Sequence, residues 1–158
     1  MNTAAVLTIS DSSFQGRRED LSGPAVVKAL TSAGFQVSYT AVIPDESEEI
    51  QKQLIECCGR ARLVVTVGGT GLAPRDVTPE ATLAVAERMV PGIPEKMRAE
   101  GLLKTPMAAL SRGVCGIRGQ ALILNLPGSP KAAVDSLHAV INILPHALEL
   151  LAGKTEHS

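Results

Sequence analysis

Apolar positions along the chain follow two rhythms. Short aliphatic, β-branched runs at residues 4–9, 63–67 and 121–126 have almost no polar interruptions, as strands buried on both faces require. Residues 36–43 alternate apolar and polar and predict a further strand, which stops at Pro44-Asp45. Residues 111–119 read as another strand, joined to 120–126 through Arg118-Gly119. Between the strands the rhythm becomes helical. Ser22-Gly23-Pro24 opens a helix with Ala25, Ala29, Leu30 and Ala33 as its apolar positions, and Gly34 ends it. Residues 46–58 place Ile50, Leu54, Cys57 and Cys58 on one face, with acidic residues in the first turn as the helix dipole favours. Residues 79–89 and, less regularly, 94–103 are also helical, and 106–110 forms a short helical turn. The last helix carries Val134, Leu137, Ile141, Leu144, Leu148 and Leu151, and Pro145 within it predicts a kink. Residues 14–21 read as a mobile polar loop and 154–158 as a disordered tail.

Strands alternating with helices predict an α/β fold with a mostly parallel central sheet covered on both faces. In such sheets ligands bind beyond the carboxyl ends of the strands. The loops carrying Asp11, Asp45, Asp76 and Ser129 each follow a predicted strand, so parallel strands would gather them at one edge.

The chain is organised around residues 66–78, T-V-G-G-T-G-L-A-P-R-D-V-T. A strand leads into a glycine loop and then into a helix. Thr78-Pro79 is expected to open that helix, the hydroxyl capping the first turn and the proline sitting where its missing N–H costs nothing. Gly68, Gly69 and Gly71 let backbone and ligand approach closely, and the loop amides can then face an anion such as a phosphate. Asp76 beside such a site calls for a metal ion between carboxylate and phosphate. Neither a dinucleotide glycine fingerprint nor a P-loop fits, since Pro74 stands at the last glycine position and no Gly-Lys-Ser/Thr follows. Residues 127–131, P-G-S-P-K, repeat the same design: buried strand, glycine turn, hydroxyl, proline, helix.

Composition narrows the options. The chain has 158 residues, which suits one domain, and a domain of that size buries about 68–70% of its unfolded surface without staples. Aromatics make up 2% of it, with no Trp, so the core is aliphatic. A net charge of −1 and few stacking aromatics argue against a nucleic-acid binder. Cys57, Cys58 and Cys115 make a poor disulfide framework and contain no C-x-x-C, so a reducing cytoplasm fits. No signal peptide and no membrane-spanning run are expected. His138, His146 and His157 read as surface or packed residues. Arg17 and Arg18 suit a solvated loop, with an anion-gripping role as the alternative; Lys131 reads as a surface lysine or a phosphate contact, and Asp11 as a turn cap or a site residue.

The two loops together, V-G-G-T-G-L-A-P-R-D-V-T-P-E-A-T and N-L-P-G-S-P-K-A, resemble the molybdopterin-binding domain family, the MogA/MoaB group of molybdenum cofactor biosynthesis. L-T-I-S-D at 7–11, S-G-P at 22–24, I-P-D-E at 43–46, and L-S-R and G-I-R-G between 110 and 119 extend the resemblance over nearly the whole chain. It implies a single domain at 1–153 with a three-layer α/β/α sandwich, like the stand-alone members. It also implies molybdopterin adenylyltransfer: AMP passes from Mg-ATP to the terminal phosphate of molybdopterin and pyrophosphate is released. By motif, Asp45 and Asp76 carry over as the catalytic and Mg²⁺-holding residues. Ser10, Asp11, Ser22, Gly68, Gly69, Thr70, Gly71, Arg75, Thr78, Pro127, Gly128 and Ser129 carry over as molybdopterin- or nucleotide-binding positions. Loop 12–21 is variable in the family and leaves its contacts open. The resemblance further implies a homotrimer and hand-over to a molybdenum-insertion protein. The alternative is a MoaB-type paralogue that binds pterin or nucleotide without turnover. The segment 91–110 is expected to turn Ile93, Met97, Leu102, Leu103 and Met107 outward at the trimer interface.

Overall fold

Every residue of β3 (Leu63–Val67) and β6 (Ala121–Leu126) is buried, and the two strands pair in parallel at the middle of the sheet. The computed structural model describes residues 2–154. In it β1 (Thr3–Ile9) flanks β3, and β2 (Gln36–Ile43) forms the edge beyond it, both parallel. On the other side, β5 (Cys115–Arg118) runs antiparallel to β6, and the two-residue β4 (Arg88–Met89) pairs antiparallel with β5. The six-stranded order is β2-β1-β3-β6-β5-β4.

Successive side chains on a strand point to opposite faces, and each face collects its own helices. Ala4, Val6, Val65, Leu122 and Leu124 pack with Val26 and Leu30 of α2 (Ser22–Ser32), Ile93 and Met97 of α5 (Gly92–Leu102), Leu137 of α6 (Pro130–Val140) and Leu144 of α7 (Leu144–Leu151). Ala5, Leu7, Val64 and Ile123 pack with Ile50 and Leu54 of α3 (Ser47–Cys58) and with Ala81 and Val85 of α4 (Thr78–Val85). This is the three-layer α/β/α sandwich expected. A short α1 (Asp11–Phe14) follows β1, and a 3-10 turn spans Pro106–Leu110.

Several elements differ from the sequence pattern. The helix expected over 79–89 ends at Val85, and Ala86 turns extended. Glu87 N–H donates to Ile117 O at 2.7 Å and Val90 N–H to Cys115 O at 2.9 Å, so the open edge of β5 draws the chain into β4. The strand expected over 111–119 is only Cys115–Arg118. The kink expected at Pro145 is a full break between α6 and α7, and the proline sits in the first turn of α7, where it forfeits no helical hydrogen bond. The fully buried apolar residues of α2 are Val26 and Leu30, with Ala29 packed partly buried against the same core; Val26 takes the inward place expected of Ala25. Of the expected tail, Lys154 donates its N–H to Glu149 O at 3.0 Å; the rest, with His157, lies outside the described residues. No helix among the described residues is long and apolar enough to cross a membrane.

Candidate functional site

The carboxyl ends of β1, β2, β3 and β6 bring together the four expected loops. The first pair is locked reciprocally. Asp11 N–H donates to Asp45 Oδ2 at 2.9 Å, and Asp45 N–H donates to Asp11 Oδ1 at 3.0 Å. Arg75 reaches across from the glycine loop and grips Asp11 with two donors, Nε to Oδ2 and Nη2 to Oδ1 at 3.1 Å. That guanidinium holds the Asp11 pKa below its ordinary value. Asp45 goes the other way: burial first, then the neighbouring charges of Asp11 and Asp76, raise its pKa.

The glycine loop 68–78 folds back on itself. Gly68 has φ +105° and Gly69 φ +69°, conformations that side chains rarely adopt. A Cβ on Gly68 would strike Ile9 O, and one on Gly69 would strike the Thr78 hydroxyl and come 3.1 Å from Asp45 Oδ1. Thr78 does not cap α4 as expected. Its buried hydroxyl donates to Gly68 O at 3.0 Å and ties the end of the loop to its beginning. The Asp76 carboxylate accepts from Ala73 N–H at 3.0 Å and from no other donor among the described residues.

The turn 127–129 lies beside this loop. Ser22 Oγ donates to Gly128 O at 2.6 Å, joining the start of α2 to the turn 106 residues away in sequence. Ser129 caps α6 as expected, accepting from Ala132 N–H at 3.3 Å.

Two clefts open on either side of these loops. The smaller, about 450 Å³, is lined by Thr8, Ser10, Arg18, Asp20, Ser22 and Asp45 among others. The larger, about 810 Å³, runs under α5, the 3-10 turn and α6, with Met97, Met107 and Leu110 as apolar lining and Arg98, Lys104, Lys131 and His138 as basic or titratable lining. Gly69, Asp76, Gly128 and Ser129 line both, so the two loops form a shared ridge. Volumes of this order suit drug-sized or nucleotide-sized ligands.

Comparison with known proteins places the chain in a family. The family model described as "Probable molybdopterin binding domain" matches residues 5–146. The chain belongs to that family. It is 43% identical over 152 residues to the molybdopterin adenylyltransferase of Helicobacter pylori (strain 26695), covering 94% of this chain and 86% of that protein. It is 44% identical over 153 residues to the molybdenum cofactor synthesis protein cinnamon of Drosophila melanogaster, but there 94% of this chain corresponds to only 25% of the relative. Its fold matches the crystal structure of the molybdopterin biosynthesis enzyme MoaB from Thermus thermophilus with a TM-score of 0.92 and 52% identity, covering 98% of each chain.

Within this molybdopterin-binding domain, Asp45, Asp76, Ser10, Ser22, Gly68, Gly69, Thr70, Gly71, Gly128 and Ser129 line one or both clefts, and Pro127 lines the larger. Asp11, Arg75 and Thr78 brace the site from behind through the bonds described. Lys131 is exposed and paired with Asp135 at 3.2 Å, and Lys104 reaches the same carboxylate at 3.2 Å. Arg18 lines the smaller cleft. His146 pairs with Glu149 at 3.7 Å. No group of three or more His, Cys, Asp or Glu among the described residues is set to hold a metal by itself.

Sequence reasoning missed three anchors. Asp20 accepts from Thr8 Oγ1 at 2.7 Å and Gly23 N–H at 2.9 Å, fixing the base of the 14–21 loop. Buried Asn125 donates to Thr66 and Thr82 at 3.0 Å each and accepts from Val114 N–H at 3.1 Å. One polar residue inside an otherwise apolar strand was the available signal. Arg112, which holds the glycine loop from behind, stands in the L-S-R stretch of the resemblance, but nothing in that stretch points to the loop as its partner.

Proposed function

We propose that the protein is a molybdopterin adenylyltransferase. It moves AMP from ATP to the terminal phosphate of molybdopterin. The observation that carries this reading is the ridge of Gly69, Asp76, Gly128 and Ser129 shared by two clefts. Joining two phosphorylated substrates requires two sites that meet at one point, and this ridge supplies it.

In the reaction an oxygen of the pterin phosphate forms a bond to the α-phosphorus of ATP. The bond from that phosphorus to the bridging oxygen breaks, and pyrophosphate leaves with the electron pair. No covalent protein nucleophile is needed. The glycine-loop amides and the 127–129 turn hold the phosphates in line, and the buried sheet edge beneath limits water. Asp45 and Asp76 fit Mg²⁺ in donor chemistry: they are hard oxygen ligands, and burial first, then the neighbouring carboxylates of Asp11 and Asp76, raise the Asp45 pKa, a cost that a bound cation would offset. Mg²⁺ commonly takes one or two carboxylates plus substrate phosphates. When bound, it would neutralise phosphate charge and stabilise the leaving pyrophosphate.

Incubating the protein with molybdopterin and Mg-ATP tests the reading. Adenylylated pterin and pyrophosphate should appear together, by mass spectrometry and a coupled assay. Pterin or nucleotide binding by calorimetry without pyrophosphate release would instead support the non-catalytic MoaB-type reading.

The assembly reading is a homotrimer that includes 91–110 at its interface and hands its product to a molybdenum-insertion protein. Leu102, Leu103, Met107 and Leu110 are the exposed apolar residues of that segment. Ile93 and Met97, expected outward, are 5% and 6% exposed and belong to the core of the chain itself. Light scattering should give three times the 16.5 kDa chain mass, and a charge at Leu103 should lower it.

A further inference from the structure

Arg112 sits between the 3-10 turn and β5, in a stretch with no regular structure, and lines neither cleft. Its donors converge on one target. Its backbone N–H donates to Thr70 O at 2.8 Å, Nε to Gly71 O at 2.8 Å, and Nη2 to Asp76 O at 2.8 Å. Nη1 meets both oxygens of Glu80, in the first turn of α4, at 3.1 and 2.8 Å. One guanidinium therefore spans the glycine loop from Gly71 to Asp76 and ties it to the helix behind, while the backbone N–H of the same residue holds Thr70. Arg is suited to this because its planar fork serves several acceptors at fixed angles, which a lysine ammonium cannot do.

The backbone that presents this fork is itself pinned. Arg98 Nη1 donates to Ser111 O at 3.3 Å and Gly113 O at 3.0 Å, and Val114 N–H donates to Asn125 Oδ1 at 3.1 Å. A Cβ on Gly113 would come 3.2 Å from Asn125 O, so the segment lies hard against β6.

Peptide planarity turns this brace into an aiming device. Fixing the carbonyls of Thr70 and Gly71 toward Arg112 sends the N–H groups of Gly71 and Leu72 the opposite way, since the two ends of a trans peptide point apart. Among the described residues those N–H groups donate to no protein acceptor. Gly71 lines the larger cleft.

We infer that Arg112 is a positioning residue, which aims the amides of the glycine loop and the backbone of Asp76 at the anionic substrate without touching it. The inference rests on the adenylyltransfer reading for its kinetic consequence, but not for its effect on anion binding.

The test compares Arg112→Lys and Glu80→Gln with the native protein. Arg112→Lys should lower kcat/KM by about tenfold or more, mainly in kcat, because small displacements of a phosphate-holding loop are costly to phosphoryl chemistry. Its melting temperature should stay within a few degrees, and amide exchange should speed up in 69–77 but not in β6 or α6. Inorganic pyrophosphate, titrated alone by calorimetry, should bind at least about fivefold more weakly. Glu80→Gln keeps the fork on its two carbonyls, Gly71 O and Asp76 O, and should lose less than about threefold. Millimolar guanidinium should restore part of the activity of Arg112→Ala, a rescue that a general loss of fold would not allow. If the native protein shows no adenylylation, that reading falls, and Arg112 is still judged by exchange and pyrophosphate binding. Native-like kinetics and pyrophosphate affinity in Arg112→Lys would overturn the inference. So would losses that accompany faster exchange throughout the sheet, with no guanidinium rescue.

Discussion

The two loops of the site have the same pattern in sequence and different physics in the structure. Both run strand, glycine, hydroxyl, proline, helix. In the turn 127–129 the pattern means what it says: Ser129 caps α6, and the excursion between strand and helix is short. In the loop 68–78 the hydroxyl caps nothing. The loop is long, and Thr78 is used to close it on Gly68 O. The short turn takes one distant tie, from Ser22 to Gly128 O, whereas the long loop takes several: Arg112 from outside, its own Arg75 onto Asp11, and its own Thr78 onto Gly68 O. The long loop also carries Asp76, so one of the two carboxylates proposed for catalysis lies in the loop with the more numerous ties.

The largest expected effect lies in function. Asp76→Asn keeps an acceptor for the Ala73 N–H, so the fold should survive while turnover falls on the order of 10²–10³-fold. Adenylylated pterin measured over time decides this; near-native rates would remove Asp76 from the mechanism. No change within 127–129 should approach that loss.

Glycine replacement should separate the loops next. Gly68→Ala forces a left-handed backbone and a clash with Ile9 O, and should cost on the order of 3 kcal/mol. Gly128→Ala meets only an ordinary contact, 3.4 Å from Gly68 Cα, and should cost less than about 1 kcal/mol. Urea unfolding gives both numbers, and equal costs would erase the distinction.

The hydroxyls should differ less. Thr78→Val leaves a buried carbonyl unpaired, a loss of about 1–3 kcal/mol. Ser129→Ala removes an exposed cap, worth about 1 kcal/mol. A cost for Ser129→Ala greater than for Thr78→Val would show that the assigned roles are reversed.

The smallest effect is a pH signature. The Asp11 pKa is lowered in the folded chain, first by its bond to Arg75. Whatever stability that bond contributes is therefore present above the ordinary value of 3.8 and is lost as pH falls through the lower folded value. The melting-temperature difference between the native protein and Arg75→Ala should be flat above about pH 5 and should shrink only below pH 3.8. The Ser129→Ala difference, with no ion pair behind it, should not titrate there.

Much of this was readable from the residues in order. Apolar runs and their breaks located the parallel strands, and the loops that follow them marked the site edge before any contact was known. What escaped depends on distant partners. Residues 86–89 continue a helical rhythm, yet the unpaired edge of β5 claims them. Ile93 and Met97 look like spare apolar surface until α5 is seen lying on the sheet. The Arg112 side chain finds its acceptors 32 to 41 residues away, and no local pattern encodes that separation.

The central claim is that two substrates meet along one ridge. Native mass spectrometry of Asp76→Asn, which should bind without turning over, tests it most directly. With molybdopterin and Mg-ATP both present, each chain should carry one pterin and one nucleotide at the same time. Mutual exclusion, with either ligand displacing the other, would contradict the account.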